Sequence, residues 1–351
     1  MKNAIYYELL KHLGKVGVGF HYNKNLLKIL TDNINVEEAE VALGLPTRLP
    51  PLEVESVDVI ASRLKKPVEQ VEKTLESLSK KGFLVKRVTK DGKTGYAFIQ
   101  ISFGIPQMFY WEGKITDKIR KNSYPLLMYM KSGENEYSKV GEAKAFRYIP
   151  VSDAVSRMVQ AVLPYDKLLD LVRDTKRIAL VHCACREQMR ILGSSSSVYR
   201  RFFAKHIWGR KSECAHTVEN CMKFNDMADF VIEKGFGKEI TVEKAIEIIR
   251  KTEEEGLIHF VDNCEDGLHH LCNCCTCCCW QLTLIRNGWT KRDDIMAAYY
   301  ERNTINEKCV GCGKCVKDCP MKLVTMKNKL PDIDKSKCVG CGLCVRHCPT
   351  K

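Results

Sequence analysis

No apolar run in this chain approaches the 18 residues that a membrane-crossing helix needs. The amphipathic start, MKNAIYYELLKHLGK, has neither the apolar stretch nor the small-residue cleavage site of a secretory leader. The expectation is a cytoplasmic protein with no membrane span. Nucleotide and acyl-transfer motifs are missing too. No G-x-G-x-x-G follows a strand, and neither G-x-x-x-x-G-K-[ST] nor G-x-S-x-G occurs. The glycine-rich GKVGVG at 14–19 does not stand between a strand and a helix. A flavin or nicotinamide site is therefore unsupported. The composition, 45% hydrophobic and 28% charged, excludes a disordered chain, and 351 residues suffice for two or three domains.

What is abundant is cysteine, 19 residues in all. Disulfides are rare in the cytosol, so such a count points to metal or redox chemistry. The densest stretch is LHHLCNCCTCCCWQL at 268–282, with Cys272, Cys274, Cys275, Cys277, Cys278 and Cys279. Neighbouring cysteines rarely have the geometry of a bridge. The formal net charge of +13 suggests an anionic partner such as nucleic acid. Bound clusters would change that sum. A cubane with four thiolates carries about −2, and four of them would lower the net charge to roughly +5.

Along the chain, residues 1–45 carry helical apolar spacing, and PTRLPP at 46–51 reads as a linker. Residues 56–100 read as a winged helix. A first helix is capped by Ser56. A second opens at Pro67, ends at Gly82 and buries Val68, Val71, Leu75 and Leu78. A β-hairpin then turns at Asp91-Gly92. Such a module places its second helix in the major groove of DNA. Glu69, Glu72 and Glu76 on that helix oppose phosphate, whereas Arg63, Lys65, Lys66, Lys86, Arg87 and Lys93 suit it. A scaffold or protein-interaction role is the favoured reading. FGIPQMFYWEG at 103–113 reads as core.

Further on, YDKLLDLVRDT predicts a helix and RIALVH a buried strand delivering Cys183 and Cys185. Helices are predicted at 221–234 and at 242–255, the latter opened by Thr241, and LIHFVDN predicts a strand. This alternation suggests an α/β middle domain. The expected architecture is α+β and multidomain. It comprises a helical and winged-helix domain at 1–102, a connecting region at 103–165, a Cys-rich iron–sulfur domain at 166–300 and a two-cluster ferredoxin-like domain at 301–351.

The tail carries CVGCGKCVKDCP at 309–320 and CVGCGLCVRHCP at 338–349. Each is C-x2-C-x2-C-x3-C-P, the bacterial two-cluster ferredoxin pattern, in which the cysteine before proline reaches the other cluster. Cys309, Cys312, Cys315 and Cys348 are thus expected to hold one [4Fe-4S] cluster, and Cys338, Cys341, Cys344 and Cys319 the second. Gly311, Gly313, Gly340 and Gly342 let the backbone wrap closely. LVTMKNKLPDID between the repeats predicts a hairpin. No terminal strand follows Pro349, so the neighbouring domain or a partner is expected to cover that cluster.

HCACR at 182–186, ECAHTVENC at 213–221, EEEGLIHFVDN at 254–263 and CNCCTCCC at 272–279 precede these repeats in that order. The set resembles a family of anaerobic iron–sulfur proteins. In that family a winged-helix-like region precedes a C-terminal 4Fe-4S dicluster. The resemblance implies a ferredoxin or electron-transfer protein. Cys264 lies outside the shared pattern and is not expected to ligate.

Cys183, Cys185, Cys214 and Cys221 supply four thiolates, a complement for a third cubane, the favoured reading, with zinc or no metal as the alternatives; Arg186 would offset the charge and donate to sulfur. The six cysteines at 272–279 exceed what a fourth cubane needs. They would ligate one with two spare thiols or support an atypical or larger cluster, and the ligating subset is open. His259, His269 and His270 are candidate ligands or donors to sulfur, and His182 and His216 lie beside cysteines.

The expected function is electron transfer through three or four clusters, between a soluble redox protein and a partner oxidoreductase in anaerobic metabolism. A cluster-sensing DNA-binding regulator and a reductase acting at the six-cysteine site are the alternatives.

Overall fold

The computed structural model describes residues 4–16, 20–50, 52–99, 105, 107–132, 146–151, 167–208, 214–263 and 267–350. The chain packs as two compact units. One comprises Met1–Gly133 with Phe230–Phe236, and the other Glu134–Asp229 with Gly237–Lys351. Among the described residues no helix is long and apolar enough to cross a membrane.

In the first unit, the apolar residues of the helix Ala4–Leu13 recur at turn spacing, so Tyr6, Leu9, Leu10 and Leu13 are buried together. The helix Lys24–Asn33 follows, opened by the Asn23 side chain, which accepts from the Asn25 N–H. A reciprocal capping box between Asn35 and Glu38 starts the helix Val36–Ala42. Glu38 is buried, and Lys81 Nζ meets its carboxylate at 2.6 Å while the Ser77 hydroxyl donates to it at 2.7 Å.

Strand β1 (Glu55–Ser56) leads into the helices Val57–Leu64 and Val68–Lys80 and the strands β2 (Leu84–Val88) and β3 (Thr94–Phe98). The three strands form an antiparallel sheet in the order β1-β3-β2. The hairpin turns at Asp91-Gly92, where Gly92 takes φ +79°. Ser56 takes the N-cap position expected of it, although its side chain makes no capping hydrogen bond. One local expectation is corrected. Val68, in the open first turn, is 44% exposed, so the buried stripe runs through Val71, Leu75 and Leu78 without it. Met108, Tyr110 and Trp111 of the aromatic segment are buried as core, whereas residues 103, 104 and 106 lie outside the described residues.

The second unit is built on a six-stranded sheet: β4 (Phe146–Ile149), β5 (Ile178–His182), β6 (Glu219–Phe224), β7 (Lys238–Ile240), β8 (Ile258–Asp262) and β9 (His270–Cys274). Their order is β4-β8-β9-β6-β5-β7, and every pairing is antiparallel. This corrects the α/β expectation. The helices Leu168–Arg173 and Val242–Glu254 both contribute to one core beside the sheet instead of crossing over between parallel strands.

The helix expected at 221–234 is also corrected. Residues 221–224 complete β6, Asn225 turns the chain at φ +51°, and the helix occupies Asp226–Glu233. Alternation along β6 explains why: Met222 and Phe224 enter the core, and Cys221 and Lys223 face the other way. The predicted helix at 242–255 is present as Val242–Glu254, with the Thr241 side chain accepting from the Lys244 N–H.

Candidate metal centres

Period-two alternation decides which side chains meet on the sheet. Ile149, Met222, Phe224, Val261 and Leu271 join the apolar core. Their neighbours Tyr148, Cys221, Lys223, Phe260, His270, Cys272 and Cys274 therefore point to the opposite face. Register then brings distant thiols together. Met222 pairs with Leu271 across β6 and β9, which places the Cys221 and Cys272 sulfurs 4.0 Å apart.

Six sulfurs close into a ring on this face. Cys183, at the end of β5, lies against Cys221 and Cys185. Cys185 meets Cys279, Cys279 meets Cys274, Cys274 meets Cys272, and Cys272 returns to Cys221. Cys183 and Cys279 each occupy the start of a helix, Ala184–Gly193 and Trp280–Arg286. Hydrogen bonds from their flanking thiols hold Cys183, Cys272 and Cys279 below the ordinary thiol range, Cys279 at about 6. The alternate members are pushed up, Cys185 first by burial, Cys221 by Cys183 and Cys274 by Cys272.

The other upstream thiols form a second, tighter group. Cys214 Sγ lies 3.3 Å from Cys277 Sγ and 3.8 Å from Cys275 Sγ. Cys278 touches all three, so each of the four sulfurs contacts the other three. His216 Nδ1 stands 3.3 Å from Cys214 and 3.6 Å from Cys277. Hydrogen bonding to the Cys214 and Cys275 sulfurs pushes the His216 pKa up to about 10. The Cys214, His216, Cys275 and Cys277 donor atoms lie within 4.8 Å of one another. Tetrahedral coordination at a metal–sulfur distance of about 2.3 Å separates sulfurs by roughly 3.8 Å, so this spacing suits a single ion.

This arrangement redraws the grouping expected from sequence. Cys214 does not join Cys183, Cys185 and Cys221, and the run at 272–279 is divided between both sites. All ten described upstream cysteines are free thiols and belong to one group or the other. Cys264 lies outside the described residues.

Arg186 feels the charge of both groups. It is 1% exposed, and it donates to the Thr217 carbonyl, the Asn220 amide oxygen and the Asn273 carbonyl at 2.8–3.0 Å. Burial opposes its charge, but Cys183, Cys275, Cys221 and Cys274 outweigh that and raise its pKa. Of the five histidines singled out, two reach sulfur: His216, and His270, whose Nε2 lies 2.9 Å from Cys272 Sγ. His259 instead joins Asn273 and Glu253, His269 faces Asp262, and His182 meets Glu187.

Sequence reasoning missed Lys223. It is fully buried, its Nζ contacts His270 Nδ1, and burial lowers its pKa to about 8 against the pull of Cys272 and Cys221. Its place two residues after Cys221 on a strand was the available signal.

In the tail, β10 (Val324–Lys327) and β11 (Leu330–Ile333) form the predicted hairpin, with Asn328 and Lys329 at φ +49° and +64°. Cys309, Cys312, Cys315 and Cys348 line one cavity of about 140 Å³, together with Cys344. Around Cys341 stand Cys344, Cys319 and Cys338, and the Leu323 N–H points at Cys319 Sγ at 3.4 Å. Gly311, Gly313, Gly340 and Gly342 all take left-handed φ. A Cβ on Gly340 would collide with the Tyr300 carbonyl. The donor set and these closely wrapped loops fit two cubanes.

The tail also reaches the sheet. The Val151 N–H donates to the Cys341 carbonyl at 3.0 Å, and Arg292 donates to the Cys338 carbonyl at 2.6 Å. The side chain of Tyr148 is buried within electrostatic reach of Cys279, Cys274 and Cys341. Burial, then those sulfurs, push its phenol well above the usual range.

Comparison with known proteins adds one finding. No curated protein and no solved structure matches the chain. Residues 308–351 match the family model of a 4Fe-4S dicluster domain.

Proposed function

We propose that this chain is an electron-transfer protein. Its tail would take single electrons from a soluble redox partner and relay them inward for a partner oxidoreductase of anaerobic metabolism. A bound 4Fe-4S cluster accepts and returns one electron at a time. Cys309, Cys312, Cys315 and Cys348 would hold the outer cluster, with Cys312 exposed toward solvent. Cys338, Cys341, Cys344 and Cys319 would hold the inner one. The observation that carries the reading is the contact of the dicluster segment with the sheet that bears the upstream thiols, made where the Val151 N–H, just after β4, donates to the Cys341 carbonyl at 3.0 Å. Cys214, Cys275, Cys277 and Cys278 would hold a single tetrahedral ion, zinc or iron, with His216 donating to sulfur.

We read Val57–Phe98 as a winged helix used as a scaffold. Glu69 and Glu72 are exposed on its second helix. Four of the cations that would meet phosphate are already paired: Arg63 with Glu55, Lys66 with Glu40, Lys86 with Glu76 and Lys93 with Asp58. That pairing disfavours DNA binding.

The test is an oxygen-free preparation analysed for iron and sulfide and titrated with dithionite under electron paramagnetic resonance. At least about eight irons per chain, with reducible cubane signals, are expected. A preparation without iron, or one inert to dithionite, ends the proposal.

A further inference from the structure

We infer that Cys183, Cys185, Cys221, Cys272, Cys274 and Cys279 act together as six thiolate ligands of one iron–sulfur cluster with more than four irons. The inference rests on the electron-transfer reading above and specifies its inner terminus.

The contrast between the two thiol groups carries the argument. Around Cys214 each sulfur touches the other three, the compact packing of ligands around one ion. In the ring the register of β6 on β9 sets the Cys221 and Cys272 sulfurs 4.0 Å apart, each sulfur has two sulfur neighbours, and the sequence of contacts returns to its start. A closed circuit of six surrounds more space than one ion fills. Nor does it break into four ligands and two spares, because every member is engaged on both sides. A cubane uses four thiolates. Six evenly engaged thiolates therefore call for a larger polynuclear core.

Charge and donor type agree. Thiolates are soft donors suited to iron–sulfur clusters. Six of them are a concentrated negative charge. The buried cations Arg186 and Lys223 stand against it: Arg186 donates to the Asn220 side chain and the Asn273 carbonyl, next in sequence to Cys221, Cys272 and Cys274, and Lys223 meets His270, whose Nε2 lies 2.9 Å from Cys272 Sγ. The cluster would receive electrons past Tyr148, which shares the thiol face of the sheet through the pairings Tyr148–Phe260 and Phe260–Cys272.

The experiment replaces each of the six cysteines singly by alanine in the full-length chain, prepared without oxygen, with Cys277→Ala as the control. Iron content and the Mössbauer spectrum are measured beside the reducible signals of the tail. We expect all six variants to alter one shared spectral component and to lose iron, while Cys277→Ala leaves that component intact. Two silent positions among the six would reduce the site to a cubane and overturn the inference. So would zinc in the ring, or no metal there, while the tail remains reducible. Loss of the tail signals in the unmodified protein would instead overturn the electron-transfer reading. The unmodified protein supplies a measurement that no misfolded variant can obscure. Its iron must exceed the roughly twelve that three cubanes account for, with one more allowed for a mononuclear ion. A lower count sinks the inference.

Discussion

The Cys214 sulfur lies 3.3 Å from that of Cys277, although 63 positions separate them in the chain. Cys214 and Cys277 are therefore predicted to be ligands of one ion. Cys277→Ala and Cys214→Ala should each abolish the same stoichiometric metal in elemental analysis, and Cys185→Ala should spare it. Metal binding to a folded site stabilises folding. Either variant should therefore lower the urea midpoint of the second unit. A retained metal in both variants would refute the shared site.

Tyr148 offers a test of packing without hydrogen bonding. Its hydroxyl is buried without a hydrogen-bond partner among the described residues. Tyr148→Phe should leave stability within about 1 kcal/mol of the parent, tending upward, because an unpaired buried hydroxyl costs free energy. Tyr148→Ala should cost about 3–5 kcal/mol by opening a cavity. Urea unfolding of both variants decides the matter. A large loss for Tyr148→Phe would mean that the hydroxyl has a partner.

Two glycines of the tail separate strain from collision. Gly313 has φ +69° with open space where a Cβ would stand, so Gly313→Ala should cost about 1–2 kcal/mol and keep both clusters. Gly340 has φ +67° and backs onto the Tyr300 carbonyl. Gly340→Ala should displace the loop between Cys338 and Cys341 and remove about four irons per chain. Equal iron in the two variants would contradict this account.

In the first unit, the buried Glu38 carboxylate titrates below the ordinary carboxylate range. Burial raises its pKa, but hydrogen bonds from Lys81, the Asn35 N–H and Ser77 outweigh it. A depressed folded pKa contributes stability above the unfolded value, about 4.3, and that contribution disappears as pH falls through the folded pKa. Glu38→Gln should cost about 2 kcal/mol at pH 7. Its stability should also vary less with pH across the acid range than that of the parent. Denaturation curves between neutral and acid pH that run parallel would disprove the assignment.

Local pattern made several of these elements legible. Thr241 opening the helix at Val242, the Asp91-Gly92 hairpin and the turn at Asn328-Lys329 depend on short-range chemistry that the sequence carries. The repeated cysteine spacing of the tail was likewise legible as a dicluster segment, and the matching family model covers residues 308–351. The grouping of the upstream thiols was not legible. It depends on which residue of β9 lies opposite Met222, and register between distant strands has no signature in spacing. Reading Cys183, Cys185, Cys214 and Cys221 as one set treated neighbours in sequence as neighbours in space. Lys223 escaped notice because residues 221–224 read as helix, which hid the shared face of Cys221 and Lys223.

The ring of sulfurs draws on the start of the helix after β5, on β6, on β9 and on the turn that follows, and its last member is Cys279. A nascent chain cannot complete this site until the sheet has paired, nearly one hundred residues after Cys183 is synthesised. If the ring holds the cluster inferred above, cofactor delivery to it would come late in maturation. The tail thiols lie close together in the chain and can be loaded on their own schedule.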